Sequence, residues 1–387
     1  MRLLVGHQDF NIPNGYNSHC DWLKFDGIYE KLSEIAKDEF EVVDVNVNEC
    51  NDFYIFPVNA LWAKFELFEE ETFFGNYLSK KVIEDLQSNK CLLHINWSVH
   101  EAYRFDKYHM NRLYEFLIKN GISPKNILIS SNNFQFKRDF DNWNDNKDKI
   151  NILELEQVGV ECYTHYLGFK VIDENNAFDN KLRHSHFLSL ARAGHQHRVD
   201  LVDFYEKEGY GDDKILWSAL WKNKRIDERF HWPNIHKESG LNHGDDEINL
   251  NDYKQNPYLH SYVEIVTETI YGTGAIQISD KPLKPIINLQ PFIYVTSSGG
   301  LKVLKDMGYK TFEPFIDESY DDIEDETERL NFIKSEIKRL IKLKKSEIHN
   351  TYYQIVDVLR YNRKHWLNVG RYRVIKQMEV FYQNIRN

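Results

Sequence analysis

Short apolar runs alternate with amphipathic stretches along most of the chain. Residues 1–6 (MRLLVG) read as a first buried strand closed by Gly6, with a polar loop over 7–17. Residues 40–47 (FEVVDVNV), 52–58 (DFYIFPV), 91–95 (CLLHI) and 126–129 (NILI) predict further strands. Between them, 27–37, 82–86 and 108–119 carry helical spacing, the last with Leu113, Phe116 and Leu117 as its apolar stripe. Strands and helices taking turns predict an α/β layer on a mostly parallel sheet. The polar turn Ser130-Ser131-Asn132-Asn133 falls just beyond a strand, where open α/β sheets bind ligands. Residues 137–148, dense in Asp, Asn and Lys, read as a surface loop or helix edge.

The alternation then restarts. Residues 186–190, 215–220, 262–267 and 291–295 predict strands, and 200–208, 283–289 and 301–307 predict helices, the last stopped by Gly308. Residues 227–253 read as a long loop region rich in charge, His, Gly and Asn. From Glu326 onward the spacing of Ile333, Ile337, Leu340 and Leu343 predicts long helices. The expected fold class is α/β: a domain over 1–165, a second over 166–328, and a helical tail over 329–387.

Composition narrows this picture. The chain has 387 residues, of which 42% are hydrophobic and 14% aromatic, enough for full cores and against wholesale disorder. No stretch approaches the ~20 apolar residues of a membrane span. The opening apolar run is too short for a secretory h-region. Cys20, Cys50, Cys91 and Cys162 show no CxxC spacing, so the expected compartment is a reducing cytoplasm. The net charge is −11, yet residues 329–387 hold 14 basic against 4 acidic residues, leaving about −21 on the remainder. Such a tail suits nucleic acid, an anionic lipid surface, or an acidic face of its own protein. An acidic body disfavours nucleic acid binding over the whole chain.

Two clusters carry candidate chemistry. Residues 183–198 hold Arg183, Arg192 and Arg198 together with His184, His186, His195 and His197. A strand, a short turn at Gly194 and a helix start would gather backbone N–H groups and arginine forks, which suits a phosphate. A solvated polar loop, or a metal site on the two HxH pairs, are the alternatives. The second cluster is Glu264 and Glu268 at the end of a strand, followed by Ser279-Asp280-Lys281-Pro282. Ser279 or Asp280 would cap a helix there, with Pro282 in its first turn. A lysine at a helix start opposes the dipole unless an anion is present, which marks Lys281 as a candidate; an ordinary capped helix with an exposed lysine is the alternative.

Several of these segments also form a pattern. Glu268-Thr, Ser279-Asp-Lys-Pro-Leu-Lys-Pro-Ile-Ile-Asn-Leu-Gln-Pro-Phe-Ile, Gly300-Leu-Lys-Val-Leu-Lys-Asp-Met-Gly-Tyr-Lys-Thr-Phe and Asp317-Glu-Ser-Tyr-Asp321 resemble the C-terminal half of GT-B-type glycosyltransferases found in bacteriophages and aquatic bacteria. The resemblance covers about residues 180–325, with Ser-Asp-Lys where the pattern has Thr-Glu-Lys. It implies two Rossmann-like domains facing a cleft, with C-terminal helices crossing back to the first. It implies an acceptor in the first domain and a nucleotide-sugar donor in the second, with no separate cofactor. Arg192, Arg198 and Lys281 would stabilise the leaving diphosphate without a metal. Glu268 and Glu264 would hold ribose or sugar hydroxyls, and Ser279 and Asp280 would belong to the donor site. A general base for the acceptor hydroxyl would come from the first domain: Glu101 is preferred, with Asp9, His7 and His100 as the others. A sugar transferase acting on DNA through the basic tail, and a metal-dependent hydrolase, are the alternative functions. The single DxD match, Asp139-Phe-Asp141, lies in a charge-rich stretch and is discounted.

Overall fold

A computed structural model describes residues 2–7, 41–59, 78–97, 105–144, 148–155, 172–191, 193–222, 257–272, 274–279, 281–370, 372–373, 376–377 and 380–381. The chain divides into two compact units, Met1–Thr164 with Tyr372–Asn387, and His165–Arg371.

Unit 1 is a six-stranded, wholly parallel sheet. Its strands are β1 (Arg2–His7), β2 (Glu41–Asn46), β3 (Tyr54–Asn59), β4 (Cys91–Asn96), β5 (Ile127–Ser131) and β6 (Asn151–Glu154), in the order β2-β1-β3-β4-β5-β6. Parallel sheets are covered on both faces, so their central strands read as unbroken apolar runs. β4 and β5 are buried at every position. Helices α1 (Lys80–Gln87) and α2 (Lys107–Lys119) start where side chains cap them: the Ser79 hydroxyl accepts from the Val82 N–H, and the Asp106 carboxylate from the Tyr108 N–H. α2 buries Met110, Leu113, Tyr114 and Leu117, one stripe at helical spacing. By sequence, residues 137–148 are open between a surface loop and a helix edge. They hold most of a third helix, α3 (Phe136–Trp143), which buries only Phe136 and Phe140, four apart among polar residues. Asp139 and Asp141 of the DxD match lie on it in surface ion pairs with Arg138, Lys137 and Lys149.

Unit 2 is a four-stranded parallel sheet of β7 (Ser185–Ala191), β8 (Ile215–Ala219), β9 (Ser261–Thr267) and β10 (Phe292–Val295), in the order β10-β9-β7-β8. Besides a single turn at Glu174–Ala177, its helices are α4 (Gln196–Lys207), α5 (Leu283–Ile287), α6 (Gly300–Asp306), α7 (Glu326–Ile341), α8 (Lys345–Gln354) and α9 (Val356–His365). α6 ends as its sequence suggests. Gly308 takes φ +94°, its N–H bonds Lys305 O, and the Tyr309 N–H bonds Leu304 O. α7 packs on β10 and α4, and α8 on β9. Residues 326–371 therefore belong to unit 2, while 372–387 group with unit 1. Much of the basic charge on these helices faces carboxylates of the same unit: Lys338 meets Glu208 at 2.8 Å, and Arg360 and Arg363 share Glu174.

The Asp317–Asp321 run is structural. The Asp321 carboxylate accepts the Leu301 and Lys302 N–H groups at 3.0 and 2.9 Å, closing the start of α6. Glu318 accepts from the Phe312 N–H at 2.8 Å, and the Tyr320 hydroxyl from the Tyr294 N–H at 2.9 Å. Burial pushes both the Glu318 and Asp321 carboxyls up. The anion at the α6 start is thus the protein's own.

Among the described residues, no helix is long and apolar enough to cross a membrane. Cys50 and Cys91 are buried free thiols; Cys20 and Cys162 lie outside the described residues.

Candidate functional site

The polar residues gather at the carboxyl edge of the unit 2 sheet. Glu268 follows the last residue of β9 and is wholly buried. One carboxylate oxygen accepts from the Ser279 N–H at 3.0 Å and the Tyr294 hydroxyl at 2.8 Å. The other meets the Lys281 ammonium at 3.1 Å and the Thr269 N–H at 3.3 Å. The Ser279 hydroxyl lies 2.8 Å from both. Glu268 is therefore saturated and anchors Lys281. It has no free oxygen for a ribose, which corrects the expectation from the resemblance. Lys281 also donates to the Thr269 and Ser279 hydroxyls, each at 3.2 Å, and keeps 28% of its side chain exposed. The helix-start conflict that singled out this lysine is relieved by Glu268. Glu264 lies in mid-strand rather than at the strand end, paired with Phe292 and Leu188 and buried, which removes it from the edge.

β7 points at the same edge, and α4 follows it after a turn through Gly194. Gly194 packs closely there: a Cβ would sit 3.1 Å from the Trp221 ring, so a larger residue would push that ring aside by a few tenths of an ångström. α4 begins at His195 with no side-chain cap. The start of a helix without a cap presents N–H groups and the positive end of the dipole to an anion. His197 bonds the Glu268 carbonyl at 2.9 Å and stacks on Tyr271, with ring centroids 4.8 Å apart. Burial, with Arg198 adding to it, pushes the imidazole down to about 3, so it is neutral near pH 7. Arg198 does not present an open fork. It is buried, donating to the Thr267 carbonyl at 2.9 Å and the Ala193 carbonyl at 3.3 Å. Burial lowers its pKa to about 10, against the pull of Glu268. Glu268 thus lies between Arg198 and Lys281, and the Asp321 carboxylate closes the α6 start after β10.

A row of unused donors completes the edge. The Ser218 hydroxyl on β8, the Thr267 hydroxyl on β9 and the Thr296 and Ser297 hydroxyls after β10 are buried without a hydrogen-bond partner among the described residues. So are the Arg198 Nε–H and the Trp221 indole N–H. All six groups can donate. Buried polar groups are nearly always paired, so these six groups toward the carboxyl end of the sheet, with Ser218 and Thr267 on opposite faces, are ones a polar ligand could use. Sequence reasoning missed Tyr294, Ser218, Trp221, Thr296 and Ser297, which carry no motif signal; only their positions at strand ends could have pointed to them.

The arginine-histidine cluster does not stay together. β7 separates Arg183 from Arg198 by its full length. At the amino edge Arg183 donates to the carbonyls of Tyr258, Ser261 and Ala177 and to the Tyr352 hydroxyl, a structural role. His186 meets the Leu343 carbonyl at 3.0 Å. His195 and His197 sit at a helix start rather than sharing a strand face. Among the described residues no three His, Cys, Asp or Glu side chains gather as a metal site. Asp9, His100, Glu101, Arg192 and Asp280 lie outside the described residues, as does the His7 side chain.

The neutral state of His197, and of the fully buried His94 in unit 1, also pushed down to about 3 by burial, gives a pH prediction. Unfolded imidazoles titrate near 6.5. Between about pH 6.5 and 3 the unfolded chain binds more protons, so stability is lost as pH falls through that window, by up to ~1.4 kcal/mol per pH unit for each histidine. Thermal melts from pH 7 to 5 should show this drop, with a shallower slope in His197→Asn. Identical slopes in the variant and the parent would contradict the assignment.

No protein-family model matches the chain, and no curated protein matches it. Among solved structures, an α1,3-fucosyltransferase is similar at a TM-score of 0.36 and 10% identity, over 92% of this chain and 80% of that one. A second structure of an α1,3-fucosyltransferase, with GDP, gives 0.33 and 11%, over 100% and 91%. A wall teichoic acid polymerase gives 0.25 and 10%, over 95% and 90%.

Proposed function

We propose that the carboxyl edge of the unit 2 sheet binds a nucleotide sugar, and that the protein is a metal-independent glycosyltransferase of GT-B type acting on a hydroxyl acceptor. The observation that carries this reading is the uncapped α4 start and the Lys281 ammonium at the carboxyl end of one sheet, where several buried hydroxyl and N–H groups lack a partner among the described residues. Donors without acceptors suit a ligand made of oxygens, and a diphosphate is one. The motif resemblance over residues 180–325 points to the same edge.

In the transfer, the acceptor oxygen bonds to the anomeric carbon and the bond to the diphosphate oxygen breaks. That electron pair, and the charge it brings, stays on the diphosphate. Lys281 keeps Glu268 and exchanges a neutral hydroxyl partner, Thr269 or Ser279, for a phosphate oxygen. The amides at the α4 start and the Ser297 and Thr296 hydroxyls take further oxygens. Fixed donors in a water-poor edge are worth most where charge develops. Arg198 acts from beneath, holding the Thr267 and Ala193 carbonyls and contributing its charge; Arg192 is assigned to the same anion. Ser279 shapes the Lys281 turn, its hydroxyl accepting the Lys281 N–H, and Asp280 is assigned to the donor site. The acceptor proton goes to a base, for which Glu101 is the first assignment and Asp9 the second.

A thermal-shift screen of the full chain against nucleotide sugars and nucleoside diphosphates tests this, because a ligand that binds only the native form raises the melting temperature. At least one nucleotide sugar should raise it and be consumed when acceptors are added. A flat panel would contradict the reading.

A further inference from the structure

Arg329, in the first turn of α7, is one of the most deeply buried charged residues of unit 2. Through Nη1 it donates to the Ile323 carbonyl at 2.7 Å and the Glu324 carbonyl at 3.1 Å. Its Nε–H and Nη2 groups have no hydrogen-bond partner among the described residues. Burying a cation against carbonyls alone is a costly way to hold a helix start, because the charge gives up its water and gains no counter-charge. What the guanidinium does meet is a ring. It lies over Tyr271, with Cζ 4.5 Å from the centroid. A cation over an aromatic face is attracted to it, most strongly where water is excluded.

Tyr271 links this cation to the carboxyl edge of the sheet. Its hydroxyl donates to the Glu326 carbonyl at 2.8 Å, which ties it to α7. Its ring stacks on His197 of α4 at 4.8 Å, and His197 bonds the Glu268 carbonyl at 2.9 Å. The next residue, Gly272, takes φ +141°, a conformation L side chains rarely adopt, and a Cβ there would sit 2.6 Å from Glu326 Oε1. Residues 268–272 are thus held by both α4 and α7. Within that segment, Glu268 and Thr269 supply two of the three side-chain partners of the Lys281 ammonium, Ser279 being the third.

We propose that Arg329 is a positioning residue: by clamping Tyr271 it fixes the 268–272 segment and so holds the Lys281 ammonium in place. A guanidinium suits the task because it is planar and stacks on a ring, whereas an ammonium is a compact point charge. The part this plays in sugar transfer rests on the donor-site reading. The positioning itself is measured without a ligand, so a flat nucleotide panel would remove the donor site and leave the clamp standing.

Pulse acetylation of the full chain with limiting acetic anhydride, followed lysine by lysine by mass spectrometry, tests the clamp. An ammonium held by a carboxylate and two hydroxyls reacts slowly, and a released one reacts faster. Arg329→Met and Tyr271→Leu should each raise the rate at Lys281 by about threefold or more, the equivalent of one net hydrogen bond. The rates at the exposed Lys125 and Lys342 should not change. Tyr271→Leu spares the Arg329 bonds to Ile323 and Glu324, so it separates loss of the clamp from loss of support at the helix start. It also carries the test if Arg329→Met does not fold. Parental reactivity of Lys281 in either folded variant overturns the proposal. So does a rise shared by all three lysines, the mark of general loosening around a merely structural arginine.

Discussion

Lys281→Ala should lower turnover, and the affinity for a nucleoside diphosphate, by on the order of a hundredfold, the usual effect of removing one donor from a developing oxyanion. It should do so while the protein stays folded. Glu268 keeps the Ser279 and Thr269 N–H groups and the Ser279 and Tyr294 hydroxyls when the ammonium is gone. Losing the ammonium removes an ion pair with a buried carboxylate and two hydroxyl bonds, so the stability cost should be roughly 2–4 kcal/mol. Lys281→Met retains the stem of the side chain and should behave alike. Arg198→Ala should look different. Its guanidinium ties β9 to the turn before α4, so that variant should lose stability and activity together. Isothermal titration beside thermal melts separates the two outcomes. A Lys281→Ala protein with parental affinity and turnover would remove the ammonium from the site.

Truncation after Asp325 should abolish the fold of unit 2. The segment removed includes α7, α8 and α9, which bury Ile333, Ile337, Leu340, Ile348, Tyr352 and Leu359, each nearly inaccessible. At about 1.5–3 kcal/mol for a buried apolar side chain, six such residues match or exceed the 5–15 kcal/mol that holds a typical domain together. Truncation after Arg371 removes only the last residues, which group with unit 1, and should leave unit 2 intact. Limited proteolysis of the two shortened chains distinguishes these cases. A protease-resistant unit 2 in the shorter chain would show that α7–α9 are an appendage.

The α/β layers were legible because CLLHI and NILI are the short apolar runs that buried parallel strands need, and YVEIVT alternates in the strand manner. α3 was not, because two phenylalanines four apart are too sparse a stripe to stand out among Asp, Asn and Lys. β6 was missed because an edge strand of four half-buried residues carries little pattern. At the site, the sequence pointed to Lys281, Ser279, Glu268 and Arg198 through spacing and resemblance. It could not show that Glu268 faces inward onto five donors, since a carboxylate after a strand reads the same whether it meets a ligand or a lysine. Nor could sequence adjacency reveal that a seven-residue strand, about 23 Å long, carries Arg183 to the opposite edge. The Asp317–Asp321 run shows the same limit from the other side: a recognisable motif whose acids cap and brace the fold.

The most direct measurement is hydrogen exchange on the full chain with and without a saturating nucleoside diphosphate identified in the screen. Slower exchange should appear in peptides over 193–198, 267–269, 279–281 and 296–300, and not along the amino edge of β7 around Arg183. Protection confined to the amino edge, or none at all in unit 2, would contradict the placement of the diphosphate at Lys281 and the α4 start.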